Sequence, residues 1–273
     1  MVAVDNCLIL EPALQALMTP LTKQLGKWHA VKAIKTISLT LADSGIDMAL
    51  ECSSVVENTA ALSALAESLG IARISLVVAG QNPITVTSRS PVTMRLGAYD
   101  VALPVGAFLQ ASREGQRLLT EAVVAGLGDA KSVADLFCGI GTYSFALNKM
   151  SKVHCVESDM EMVKGLKAMV HMHGRNRFMT TEARDLFTKP LTAKELEKYD
   201  AVIINPPRPG AKAQCEQLAA SKVKKIVMVS CNPATFSRDA KTLKNAGFSL
   251  VSAHGIDQFV YSPHLEIVAV FGR

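Results

Sequence analysis

The chain has 273 residues, of which 49% are hydrophobic, a size and composition that fit a globular protein of one large or two modest domains. Charged residues interrupt every apolar run before about 18 residues, which excludes a membrane-spanning helix. The formal net charge is +5, but residues 1–100 hold 7 Lys/Arg against 8 Asp/Glu and residues 101–273 hold 22 against 16, so a polyanionic partner is easier to place on the second part.

The opening MVAVDNCLILEPAL has no basic start, apolar stretch and small-residue cleavage site in succession. It does not read as a secretion signal, and the cytosol is the expected address. A helix is predicted from Pro12 to Leu25, followed by strand-like runs at Ala33 to Leu41 and Ile46 to Glu51. A helix from Val56 to Leu69 and strands at Ala72 to Val78 and Pro83 to Ser88 complete a small α/β layer. The texture changes near residue 100, giving expected domains at 1–100 and 101–273.

The second part alternates more regularly. Helices are predicted at Ser112 to Gly126, Tyr143 to Met150, Met160 to His173, Lys212 to Ala220 and Pro233 to Ala246. Strands are predicted at Ser132 to Phe137, Val153 to Glu157, Phe178 to Thr181, Tyr199 to Ile204, Lys225 to Ser230, Phe248 to His254 and Leu265 to Phe271. Such alternation predicts a mostly parallel sheet with helices on both faces, whose ligands bind at the carboxyl ends of the strands. Cys7, Cys52, Cys138, Cys155, Cys215 and Cys231 lie far apart with no C-x-x-C pair, so neither a zinc site nor a disulfide framework is expected.

The segment VADLFCGIGTYSFAL puts Gly139 and Gly141 in the turn between a strand and a helix, where missing β-carbons let a ligand approach the backbone. Glu157, 22 residues after Asp135, ends the next strand, where a carboxylate can accept hydrogen bonds from both ribose hydroxyls of a nucleoside. A dinucleotide fingerprint wants Gly or Ala where Ser144 stands, and a P-loop wants Lys followed by Ser or Thr; neither is present. S-adenosylmethionine (SAM), which has a ribose and no phosphate, suits the pattern better than NAD or ATP. Asp185, in EARDLF after the next strand, either reaches an adenine amino group or caps its own loop.

A thiol stands where the strand KIVMVS runs into Cys231, just before a helix. Helix-terminal N–H groups and Arg238 are expected to lower its pKa, making Cys231 a candidate nucleophile; the bland alternative is a small buried hydrophobe. INPPRPG, from Ile204 to Gly210, ends the preceding strand in a rigid turn. Methyltransferases acting on exocyclic amines often follow NPP with an aromatic residue, whereas Arg208 stands here. That suits methylation of a ring carbon activated by a thiolate, or else a surface salt bridge. Glu266 begins the final strand with His264 two residues earlier on the same face, and could serve as a general base.

Taken in order, GAFLQ, DLFCGIGT, NPPRPG, VSCNPAT and HLE resemble the RNA uracil-5-methyltransferase family, which includes the ribosomal and transfer RNA enzymes that make 5-methyluridine. The resemblance covers nearly the whole chain and is strongest from Pro104 to Phe271. It implies a Rossmann-like class I SAM-dependent methyltransferase domain with a smaller N-terminal α/β domain. It further implies that Gln110, Phe137, Thr142, Glu157, Asp185 and Asn205 lie around SAM, that Cys231 attacks carbon 6 of a flipped uracil, and that Glu266 removes the proton from carbon 5. The implied partner is RNA, ribosomal ahead of transfer RNA, with no membrane; the sequence names no protein partner.

Many members carry Asp where Asn205 stands, Asn where Ser112 stands, and Met-Phe-Pro where this chain reads Gln258-Phe259-Val260. Many also carry, in front, a small β-barrel RNA-binding domain and three closely spaced cysteines of an iron–sulfur cluster. The sequence begins after both, either as a piece of a longer enzyme or in a lineage lacking the module. Cys7 resembles the isolated fourth ligand, and one cysteine cannot hold a cluster, so no cluster and weak autonomous RNA binding are expected. Two alternatives stay open: an RNA cytosine-5-methyltransferase, since cysteine attack at carbon 6 serves both bases, and a non-catalytic RNA-binding or assembly protein that keeps the fold.

Overall fold

A computed structural model describes residues 6–54, 56 and 59–273. Residues 1–5 of the opening segment and 57 and 58 of the expected second helix lie outside these described residues. The chain divides into two compact units: one runs up to Arg95 and includes Asp100–Ala107, the other comprises Leu96–Tyr99 and Phe108–Arg273.

In the first unit, α1 (Pro12–Leu25) opens with proline, whose missing N–H is one the first turn leaves unpaired anyway. It buries Leu14, Leu17, Leu21 and Leu25, a stripe at spacings of three and four. Strands β1 (Ile34–Ala42), β2 (Gly45–Cys52), β3 (Ile71–Val78) and β4 (Ile84–Ser88) form one sheet in that order. The β2/β3 pair is parallel and the outer pairs are antiparallel. The parallel step is bridged by α2 (Ala60–Leu69), which stops at the left-handed Gly70, and its Leu62 and Leu65 pack with Trp28, Met48, Leu50 and Ile74.

A short ribbon, β5 (Thr93–Leu96) and β6 (Tyr99–Ala102), follows; no strand is predicted there from sequence. Its turn carries Gly97 at φ +57, where an added β-carbon would stand 2.5 Å from the carbonyl oxygen of Phe145 and 2.9 Å from Ala146 Cα. Backbone atoms cannot yield as a flexible side chain can. Gly97→Ala is therefore expected to cost roughly 2–4 kcal/mol from the left-handed conformation and the clash together, read as a lowered midpoint of urea unfolding.

The second unit contains α3 (Arg113–Leu127), β7 (Ser132–Leu136), β8 (Lys152–Glu157), α4 (Met160–Met172), β9 (Met179–Ala183), α5 (Ala193–Leu196) and β10 (Ala201–Ile204), then α6 (Lys212–Ala220), β11 (Lys225–Ser230), α7 (Pro233–Asn245), β12 (Ser249–Ile256) and β13 (Glu266–Gly272). Helices α3, α4 and α7 begin where the chain supplies acceptors: Ser112 accepts from Gly115 N, Asp159 from Glu161 N and Met162 N, and Asn232 from Ala234 N. The sheet order is β12-β13-β11-β10-β7-β8-β9. Strands β7 to β11 run parallel, and β13 is antiparallel to both β11 and β12. Strand β10 is buried along its whole length and β7 and β11 nearly so, as expected of strands covered on both faces. The chain leaves β7 toward β8 on one side and returns through β10 on the other, so the strand order reverses at the β7/β10 boundary, where α/β sheets open a crevice.

The expected helix from Tyr143 to Met150 is instead one 3-10 turn, Ser144–Ala146, and Leu147 is already extended at ψ 159. Ser144 Oγ donates to Asp135 Oδ2 at 2.5 Å and Phe145 is buried. These anchors hold the segment down before a second helical turn can form.

Candidate active site

The carboxyl ends of β7, β8, β10 and β11 meet along one edge. Asn205 N donates to the Leu136 carbonyl at 3.2 Å, and Cys138 N to that of Val156 at 3.1 Å. Strand β13 enters at this edge, because Ser230 pairs with Ile267 in antiparallel register. Its first residue, Glu266, thus adjoins Cys231.

The turn after β7 runs through three left-handed residues: Phe137 at φ 60, Gly139 at φ 55 and Gly141 at φ 81. For Phe137 this conformation costs about 1–2 kcal/mol. Gly139 opens onto free space, with nothing within 4 Å of where a β-carbon would stand. Gly141 does not serve ligand approach as expected from sequence: a β-carbon there would lie 2.9 Å from Leu166 Cδ1, so its small size serves packing. Thr142 is half-buried in the same turn and Asn205 half-buried beyond β10.

Glu157 spans two elements. Its Oε2 accepts from Gly139 N at 3.0 Å, while Oε1 accepts from Ser158 N at 2.7 Å, Ser158 Oγ at 3.1 Å and Asp159 N at 3.0 Å. The carboxylate thereby ties the end of β8 to the glycine turn. Asp185, exposed, caps its own loop, with Oδ1 accepting from Phe187 N and Oδ2 from Thr188 Oγ1, both at 2.9 Å. These bonds, the Phe187 N–H foremost, hold its carboxyl below the usual range. Sequence reasoning missed Phe187, whose exposed ring lies tilted against that of Phe137 at 5.5 Å. Gln110 is held by Gln258, whose Nε2 donates to Gln110 Oε1 at 2.8 Å. Gln258 is itself buried against Gly115 of α3, where a β-carbon would come within 2.4 Å of it.

The Cys231 thiol is half-buried. Burial and then the charge of Glu266 push its pKa up; its own backbone N–H and the Arg208 guanidinium pull the other way. Burial also raises the Glu266 carboxyl. The expectation that Arg238 activates the thiol is corrected: Arg238 is engaged with Asp239 and the Pro209 carbonyl, and the cation acting on Cys231 is Arg208. His264 also departs from expectation. It lies exposed before β13 rather than on the strand, with its N–H donating to Ser262 Oγ and its ring against Phe259.

Beneath the turn, Asp135 is fully buried with Oδ2 bound by Ser144 and Oδ1 unpartnered. Burial lifts its carboxyl from the ordinary 3.8 to about 7, with Ser144 pulling down and Glu157 pushing up. Between those values the folded protein holds a proton that the unfolded chain releases, so stability falls as pH rises from about 4 to 7. Asp135→Asn, which keeps an acceptor for Ser144, should flatten that decline and gain up to about 4 kcal/mol above pH 7. Urea unfolding across pH checks this; equal slopes in both proteins would sink it.

Among the described residues no group of three or more His, Cys, Asp or Glu side chains is placed to hold a metal ion, and no helix is long and apolar enough to cross a membrane.

Among solved structures the chain is similar to Pyrococcus abyssi tRNA (uracil-54, C5)-methyltransferase in complex with S-adenosyl-L-homocysteine, at a TM-score of 0.77 and 18% identity over 99% of this chain and 70% of that one. The fold is therefore the Rossmann-like one of SAM-dependent methyltransferases, in a mixed α/β chain.

The profile of the tRNA (uracil-5-)-methyltransferase family matches residues 98–272, and the chain belongs to that family. It is 40% identical to an uncharacterized RNA methyltransferase of Zymomonas mobilis subsp. mobilis, over 100% of this chain and 68% of that relative. It is 29% identical to the 23S rRNA (uracil(1939)-C(5))-methyltransferase of Vibrio vulnificus, over 99% of this chain and 62% of that protein. The chain thus spans about two thirds of the length of the curated relatives it matches.

Proposed function

We propose that this chain methylates carbon 5 of a uridine in RNA, with SAM as methyl donor and Cys231 as covalent catalyst. The observation that carries the reading is the adjacency of a half-buried thiol and a buried carboxylate, Cys231 and Glu266, at the strand edge that also holds the glycine turn. In this reading residues 101–273 carry the catalysis and residues 1–100 contribute to the RNA surface. Ribosomal RNA is the favoured substrate, supported by the 29% identity with the Vibrio vulnificus rRNA enzyme along nearly the whole chain.

The residues fit the cofactor. Gly139 leaves open space at the turn, and Glu157 Oε2 accepts one bond and so retains a lone pair for a ribose hydroxyl. Asp185 caps its loop with one bond at each carboxylate oxygen and so keeps lone pairs that would meet the adenine amino group beside the Phe137 and Phe187 rings, while Gln110, Thr142 and Asn205 would line the remainder. SAM supplies an electrophilic methyl group.

Carbon 5 of uracil is a poor nucleophile. Addition of the Cys231 thiolate to carbon 6 forms a carbon–sulfur bond and moves the ring's π electrons onto carbon 5 and the carbon 4 oxygen, preparing carbon 5 to take the methyl group. Glu266 then accepts the proton from carbon 5; the electron pair left behind re-forms the 5,6 double bond and expels the thiolate. A stacked base cannot reach a thiol recessed at a strand end, so the uridine must be extruded.

The test is transfer of labelled methyl from SAM to ribosomal and transfer RNA lacking 5-methyluridine, followed by nucleoside analysis. The expected product is 5-methyluridine in ribosomal RNA; label in 5-methylcytidine, or no transfer by a SAM-binding protein, would contradict the proposal.

A further inference from the structure

The turn that carries Arg208 is held from outside itself. Pro206, Pro207 and Pro209 have no N–H to donate, and the turn closes on itself through Gly210 N to the Pro207 carbonyl at 2.8 Å. The rest of its anchoring comes from α7 and its cap. The Arg208 carbonyl accepts from Asn232 Nδ2 at 3.2 Å and Thr235 Oγ1 at 3.1 Å, and the Pro209 carbonyl from Arg238 Nη2 at 3.0 Å. Ala211 N, just past the turn, donates to Asp239 Oδ2 at 2.7 Å.

Asp239 is the hub of these contacts. It is 2% exposed, and while Oδ2 grips the backbone, Oδ1 accepts from Arg238 Nε at 2.8 Å. Gly210, at φ +76, is pressed against the same group: a β-carbon would stand 2.5 Å from Arg238 Nη2, 2.6 Å from Asp239 Oδ2 and 2.9 Å from Thr235 Cβ. A buried carboxylate bound at both oxygens has little freedom to move. The chain at Gly210 and Ala211 is therefore clamped to α7.

We propose that Asp239 is a positioning residue: by orienting Arg238 and gripping Ala211 it fixes the turn from Pro206 to Gly210, so that Arg208 stands beside the Cys231 thiolate. This rests on the reading of Cys231 as nucleophile, but its test needs no methyl transfer. The charged groups acting on the thiol are Glu266 from β13 and Arg208 from the turn. Those acting on the Cys215 thiol of α6 include Asp239 and Arg238. Asn at position 239 could still accept from Ala211 N, but its amide would present N–H groups to a guanidinium that has only N–H groups to offer.

The experiment is the pH dependence of Cys231 alkylation by iodoacetamide in the full chain, followed on the Cys231 peptide by mass spectrometry. Arg208→Gln is expected to move the midpoint up by roughly 0.5–1 pH unit, the effect of losing one partly screened cation. Asp239→Asn should move it comparably, Arg238→Lys less, and the Arg208→Gln/Asp239→Asn pair no further than Arg208→Gln alone. An unchanged midpoint in a folded Asp239→Asn protein, or a shift that adds to that of Arg208→Gln, overturns the proposal. Should Asp239→Asn not fold, Arg238→Lys is read in its place, because it breaks the link from Asp239 through Arg238 to the Pro209 carbonyl and keeps the Ala211 bond; a smaller upward shift is then expected, and no shift overturns the proposal. A protein that shows these shifts yet methylates no uridine would refute the proposed function and leave this inference standing.

Discussion

Cys231→Ala is expected to lower methyl transfer to uridine by at least about 10³-fold, while SAM affinity stays within about twofold. The asymmetry follows from the roles assigned. Glycine turn, Glu157 and Asp185 sit at the carboxyl ends of β7, β8 and β9, whereas the thiol follows β11 and enters only when carbon 6 is attacked. Since Cys231 is half-buried at a strand end rather than packed in the core, the substitution should leave stability within about 1 kcal/mol. RNA carrying 5-fluorouridine should form a denaturation-resistant adduct with the parent protein and none with the variant. Because burial and Glu266 push the thiol up, adduct formation should accelerate as pH rises through the neutral range. Transfer by the alanine variant at the parent rate would mean that another atom, or no covalent step, activates the base.

Glu266→Gln should separate the two halves of the reaction. Turnover is expected to fall about 10²- to 10⁴-fold, the range for loss of a general base, while methylated, thiol-linked RNA accumulates. Glutamine is nearly isosteric at this buried first position of β13, but cannot take the proton from carbon 5. The same change removes the anion that opposes ionisation of Cys231, so initial attack should be as fast as in the parent or faster. Single-turnover kinetics with labelled RNA, resolved on a denaturing gel, reads both quantities. Loss of turnover without accumulation of adduct would place Glu266 before bond formation, and normal turnover would remove it from the mechanism.

The same strand edge illustrates how far sequence reading reaches. NPPRPG and VSCNPAT mark two strand ends because a β-branched or apolar run stops there at a proline-rich turn or a helix cap, and both are local signals. What neither string contains is the neighbour across the gap. Arg238 is close to Cys231 in sequence and was the expected activating cation, yet it turns to Asp239, while Arg208, from the preceding strand's turn, acts on the thiol. Likewise Gly139 and Gly141 look alike in sequence, and only the position of Leu166 shows that one opens onto free space and the other onto the core.

By itself the sequence determined the alternation of strands and helices, the bounds of elements such as Pro12–Leu25, Lys212–Ala220 and Lys225–Ser230, and the membership suggested by its ordered motifs. Those depend on periodicity, caps and breakers within a few residues of each other. Tertiary structure alone decided that residues 143–150 keep one 3-10 turn, that β5 and β6 pair, that Gln258 holds Gln110, and that Glu266 stands next to Cys231. Except for the β5/β6 hairpin, whose strands are two residues apart, these depend on groups separated along the chain, such as Ser144 with Asp135 or Ser230 with Ile267. Local propensity is weak beside such contacts, and it carries no information about which distant partner a folded chain will bring.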